Sequence, residues 1–202
     1  MDIHMEEALR HLRRKDPILK ALIAKVGPYA IDYHPPTFHS LTSAIIYQQL
    51  SGKAASTIFR RFQDCCGVRV LKPESILALS DEQMRGAGLS GQKVRYIRDL
   101  AQKTAAGELR FGKHKKCSDE EIIAELTQVK GIGVWTVQMF LMFALKRPDV
   151  FPVLDLGVRT GMQRLYKIDP TAKHPDYEAI ADTWRPYRSV ASWYMWRSLE
   201  MK

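Results

Sequence analysis

The sequence predicts an all-α protein. Three observations lead there. Apolar residues recur at helical spacing along nearly the whole chain, capping residues stand at the head of these stretches, and no stretch alternates convincingly as a strand does. A length of 202 residues suffices for one compact domain or two small lobes around a shared cleft. A hydrophobic content of 46% is ordinary for a chain that buries a core.

Taken in order, Leu9, Leu12, Ile18, Leu19, Leu22, Ile23 and Val26 make an amphipathic N-terminal region, broken at Asp16-Pro17. Pro17 suits the first turn of a second helix and Asp16 its cap, while Gly27-Pro28 ends it. A loop, "DYHPPTFHS", precedes a helix expected over Phe38–Leu50, with Leu41, Ile45, Ile46 and Leu50 on one face. Another is expected over Lys53–Phe62 and a short one in "LKPESILALS" around Pro73. Ser80 caps "DEQMRG", and Gly86 and Gly88 stop it; Val94, Ile97, Leu100 and Ala101 mark a helix over Lys93–Ala105. "AAGELRFGKHKKC" is a basic, glycine-punctuated connector. Ser118 and Glu121 form a capping box for Asp119–Leu126. Helices over Val134–Leu145, Asp155–Tyr166, Tyr177–Trp184 and Ser189–Leu199 complete a set of roughly ten. "CGVRVL" is the one stretch that could be extended.

The net charge is +9, which favours a polyanionic partner, nucleic acid or an anionic surface. Three cysteines, with no zinc-like or cluster-like spacing and no signal-like leader, point to a reducing intracellular compartment. The adjacent Cys65 and Cys66 read as buried apolar packing. No apolar run reaches membrane-spanning length.

The stretch "TQVKGIGVWTVQMFLMFAL" joins two helices through Gly131-Ile132-Gly133. Glycine permits a sharp turn and leaves no side chain over the peptide plane. The first amides of the following helix lack intrahelical partners and carry the positive end of its dipole, so Gly131, Gly133 and Thr136 can hold a phosphate through backbone N–H groups. Such contacts grip any strand and read no bases. The same glycines equally serve a tight turn between packed helices. Asp155, by itself, reads as a helix N-cap.

"LTQVKGIGVWTVQMFLMFAL", followed by "VFPVLDLGVRTGMQRLY", resembles the helix-hairpin-helix (HhH-GPD) DNA glycosylases. Within them the chain is most similar to the 3-methyladenine DNA glycosylase II (AlkA/Mag-like) branch. "AIIYQQLSGKAASTIFRRF", "GLSGQKVRYIRDLA" and "WRPYRSVASWYMWR" fit in the same order. The resemblance implies a two-lobed helical fold with the active-site cleft between lobes. One lobe would be 1–35 plus 131–202, the other 36–130, with the hairpin of about 119–145 at the junction. It also implies a minimal catalytic core without the extra N-terminal domain of longer relatives.

For the chemistry, the resemblance makes Asp155 the catalytic aspartate. Cleaving an N-glycosidic bond builds oxocarbenium-like charge on the sugar, which a nearby carboxylate stabilises while orienting water. Bifunctional relatives carry a lysine where this chain has Trp135, which implies a monofunctional hydrolase. Trp135, Tyr187, Tyr47 and Trp193 are the base-pocket candidates; their aromatic faces suit cationic N-alkylated purines. For the last of these, core packing is the strongest rival. In "YQQLSG", Gln49 is the candidate plug of the emptied stack and Leu50 the wedge, flanked by Gln48 and Ser51; helix capping and core packing are the rival roles. Lys53 and Lys130 are candidate phosphate neighbours, as are Arg60, Arg61 and the Lys113–Lys116 run; a solvated surface charge is the rival role for Lys130 and the leading one for each of the others. No cofactor is required, though the carbonyls of Thr127, Val129 and Ile132 match positions that hold a structural Na⁺ or K⁺ in this family. The implied partner is double-stranded DNA containing alkylated bases such as 3-methyladenine or 7-methylguanine, bound by a monomer. Rival functions are a non-catalytic hairpin DNA-binding protein, or a glycosylase for deaminated, etheno or mismatched bases.

Overall fold

Asp16 sets the first corner of the fold. The computed structural model describes residues 4–201. In it, Asp16 Oδ1 accepts the amides of Ile18 (2.9 Å) and Leu19 (3.0 Å), separating α1 (Met5–Lys15) from α2 (Pro17–Val26). Its other oxygen accepts from Tyr166 Oη (2.6 Å) and Trp184 Nε1 (2.9 Å), so one buried carboxylate ties both ends of the chain. The remaining α-helices are α3 (Phe38–Tyr47), α4 (Gly52–Cys66), α5 (Pro73–Leu77), α6 (Asp81–Gly86), α7 (Gly91–Ala105), α8 (Asp119–Leu126), α9 (Val134–Phe143), α10 (Leu156–Tyr166), α11 (His174–Ala181) and α12 (Arg188–Ser198). Two 3-10 turns cover Phe111–Lys116 and Asp182–Trp184. No strand occurs among the described residues, and "CGVRVL" runs from the end of α4 into irregular backbone. None of the helices there is long and apolar enough to cross a membrane.

The caps read from the sequence are in place. Ser80 pairs with Gln83 and Ser118 with Glu121 as reciprocal capping boxes. Three expectations change. The helix begun at Phe38 ends at Tyr47 rather than Leu50, because Gln48 leaves the helical run at ψ 129° and Gln49 follows at φ 57°. The connector of Lys113–Lys116 is itself a 3-10 turn, anchored by His114, which is fully buried and hydrogen-bonded to Glu125 at 2.9 Å. Cys65 is exposed and Cys66 half-buried, with burial pushing the Cys66 thiol up to about 11, so the pair is not the buried packing expected.

The chain divides into two compact units, 1–33 with 141–202, and 34–140. The second boundary falls inside α9 rather than at Lys130–Gly131. The first part of α9 is anchored in the second unit, where the Phe140 ring meets those of Phe111 and His114. The first unit buries Leu12, Leu19, Ile23, Val158, Met162, Tyr177, Trp184, Val190 and Tyr194 in one core. There α10 and α12 approach closely: a Cβ on Gly161 would stand 2.6 Å from the Met195 carbonyl. In the second unit α7 is central, packed against α3, α5 and α6 through Val94, Ile97, Leu100 and Ala101.

Candidate active site and nucleic-acid interface

Asp155 is the N-cap of α10 and is nine-tenths buried. Its Oδ1 accepts the Val158 amide at 2.8 Å and the Trp196 indole N–H at 2.8 Å. The carboxylate is thus aimed by two donors, one from α10 and one from α12. Trp196 stacks on Phe143 with ring centroids 5.8 Å apart. Gly157 makes room for that indole, since a Cβ there would lie 2.8 Å from it. Trp196 lies within α12, where helical spacing alone suggests packing; only the fold reveals its N–H on Asp155.

The other first-unit candidates differ in kind. Trp193 is 7% exposed and packs between Tyr29 (4.8 Å) and Tyr194 (4.8 Å). It belongs to the core, which corrects its assignment to a base pocket: α12 is buried on every side from Ser189 to Met195, so the ring meets packed side chains. Tyr187 is partly exposed at the head of α12, edge-on to His11 at 5.4 Å. Burial first, then the nearby Glu7, raises its phenol pKa.

In the second unit the structure brings Tyr47, Gln48, Gln49, Gly131, Trp135 and Thr136 around one cavity of about 660 Å³. Trp135 and Tyr47 are each 39% exposed, open faces rather than core rings. Leu50, also 39% exposed, is no core residue, and Gln49 stands exposed beside it. Gln48 is the C-cap of α3, and its Nε2 donates to the Gly131 carbonyl (3.1 Å) and to Thr136 Oγ1 (3.4 Å). It is a strut between turn and hairpin as much as a lining residue. Ser51 caps α4, accepting the Ala54 amide at 3.5 Å, and Lys53 is exposed in its first turn.

The hairpin runs α8, Thr127–Gly133, α9. Gly131 has φ 80°, and a Cβ there would sit 2.0 Å from the Tyr96 ring, so no other residue fits without displacing Tyr96. Gly133 meets nothing within 4 Å, and its carbonyl accepts the Val137 amide at 3.1 Å, opening α9. Lys130 is exposed, its amide bonded to Asp99 at 2.9 Å. The Val129 carbonyl accepts the Ile132 amide at 3.1 Å, and Thr127 is the C-cap of α8. Lys93, Tyr96 and Asp99, the α7 residues that support this surface, were missed. Their spacing of three, beside the apolar face of Val94, Ile97 and Leu100, was the available signal.

A glycine-turned helical hairpin, with a capped and buried aspartate on a later helix, defines the helix-hairpin-helix class of DNA-handling proteins. The model of the HhH-GPD superfamily base excision DNA repair proteins matches residues 42–186, and the chain belongs to that superfamily. It is 34% identical to DNA-3-methyladenine glycosylase 1 of Schizosaccharomyces pombe, over 95% of this chain and 86% of that one. The crystal structure of a DNA-3-methyladenine glycosidase from Bacillus halodurans is similar at 36% identity and TM-score 0.86, covering 95% of this chain and 88% of the other. The Schizosaccharomyces pombe 3-methyladenine DNA glycosylase in complex with abasic DNA matches at 34% and TM-score 0.84, covering 96% and 97%.

Proposed function

We infer that the protein is a monofunctional DNA glycosylase that hydrolyses the N-glycosidic bond of alkylated purines. The observation that carries this is the Asp155 carboxylate, nine-tenths buried and fixed by the Val158 amide and the Trp196 indole. The first unit supplies this group. The second supplies the grip on DNA: the hairpin turn on a phosphate, Gln49 and Leu50 for the gap in the stack, and Trp135 and Tyr47 as faces for the flipped base.

The bond between C1′ and N9 breaks with its electron pair passing to the base. An N-alkylated purine carries positive charge and so departs neutral, which makes it a good leaving group. Asp155 stabilises the cationic sugar and takes the proton of the water that adds to C1′. Position 135 is a tryptophan, so no amine at that place attacks the sugar. Lys93, the lysine that lines the cavity, has its ammonium committed to two backbone carbonyls. Resemblance supports a Na⁺ or K⁺ on the carbonyls of Thr127, Val129 and Ile132. A carbonyl has two lone pairs, so the turn bond on Val129 leaves room for such an ion, which would add positive charge beside the phosphate.

The test is release of free 3-methyladenine and 7-methylguanine from alkylated duplex, identified by chromatography. Asp155→Asn is expected to lower the rate by about two to four orders of magnitude with DNA affinity unchanged. Borohydride reduction during turnover should trap no covalent protein–DNA adduct. Binding without release by the wild type would instead support a non-catalytic hairpin protein.

A further inference from the structure

Helix α7 places Lys93, Tyr96 and Asp99 along one face, and each holds a different part of the DNA-handling surface. Lys93 Nζ donates to the carbonyls of Ile46 (2.5 Å) and Gln48 (2.9 Å), the free end of α3. Tyr96 lies against Gly131, and Asp99 accepts the Lys130 amide. Gln48 closes the circuit through the Gly131 carbonyl and Thr136. Between these ties Gln49 is held at φ 57°, a left-handed conformation uncommon for a residue with a side chain.

The last carbonyls of a helix have no intrahelical partner and carry the negative end of its dipole. An ammonium placed there satisfies two of them and offsets that charge. Lys93 is partly withdrawn from water to do so, and that burial lowers its pKa. We propose that Lys93 is a positioning residue for strand opening: by holding the Ile46 and Gln48 carbonyls it fixes the α3–α4 turn in the one shape that thrusts Gln49 and Leu50 outward. This rests on the glycosylase reading above and names how its plug is set. Lys93 does not act on the sugar.

The discriminating substrate pair is a 7-methylguanine paired in duplex and the same lesion as a single-nucleotide bulge, which has no opposite base to be parted from. Single-turnover release is measured for wild type, Lys93→Met, Lys93→Arg, Gln49→Ala and the double variant Lys93→Met/Gln49→Ala. A 2-aminopurine beside the lesion reports unstacking. Lys93→Met is expected to slow release from the paired lesion about tenfold to a hundredfold, the range for a lost charge-assisted hydrogen bond. On the bulge the loss should stay within about threefold, because no base pair remains to be opened. Lys93→Arg should restore most of the rate and of the 2-aminopurine rise, and the double variant should be no slower than Gln49→Ala alone. Equal losses on both substrates, no loss on either, or additive losses in the double variant would overturn the proposal. If Lys93→Met does not fold by circular dichroism, Lys93→Gln, whose amide can still donate to one carbonyl, is judged by the same ratio. A wild type that releases no base overturns the glycosylase reading itself, and the inference with it.

Discussion

Trp196 is where a single atom matters most. Trp196→Phe keeps an aromatic ring against Phe143 but removes the N–H that aims Asp155. Base release should slow about tenfold, the worth of one hydrogen bond to a charged group, while fluorescence anisotropy shows unchanged DNA affinity. Trp135 tests substrate charge. Its exposed face would stabilise a cationic base by about 1–2 kcal/mol, so Trp135→Ala should slow release of 7-methylguanine more than release of neutral hypoxanthine. Equal slowing of both would dismiss the cation argument. At 155 the helix cap was legible because an aspartate bonds amides of its own first turn, whereas the roles proposed for 135 and 155 in the chemistry come from the resemblance. Trp196 was not legible, since an indole at a helical repeat looks the same whether it packs or donates.

At the scale of elements, the hairpin and α3 each answer to one residue. Gly131→Ala must relieve both the positive φ and the overlap with Tyr96. It should weaken DNA binding about fivefold to thirtyfold, the equivalent of roughly 1–2 kcal/mol of strain and displaced contact, with smaller effect on global stability. His39, in α3, accepts the Leu71 amide at 3.0 Å on Nδ1, and burial lowers its pKa below the ordinary 6.5. As pH falls through about 6.5 the unfolded chain takes up this proton first. The stability involved is therefore complete above that pH and is lost on acidification toward the folded value. His39→Asn should flatten the fall in melting temperature between pH 7 and pH 5 relative to wild type. The capping boxes and helix starts were readable because they are local. The early end of α3 was not: Gln49 leaves the helix under constraints from Lys93 and Gln48, which bind groups distant in sequence.

For the molecule as a whole, charge and the Asp16 junction give the tests. A net charge of +9, with the phosphate grip proposed for the hairpin, predicts affinity for undamaged duplex that falls roughly a hundredfold between 50 and 200 mM salt. A shallow slope would mean that few phosphates are contacted. Asp16 joins α1 and α2 to Tyr166 and Trp184. Asp16→Ala leaves four donors without their acceptor and should cost about 3–5 kcal/mol in denaturant unfolding.

The sequence by itself determined the helical class, the helix starts, the hairpin with its two glycines, and the aspartate that caps α10. These follow from periodicity and from contacts within a few residues, which a linear chain displays. Tertiary structure alone decided that Trp193 is core while Trp196 reaches Asp155, that Lys93 seats the turn carrying Gln49, and that the second unit extends to Phe140. Each depends on which residues from remote segments meet. That outcome is set by the packing of whole helix faces against one another, and no local pattern encodes it.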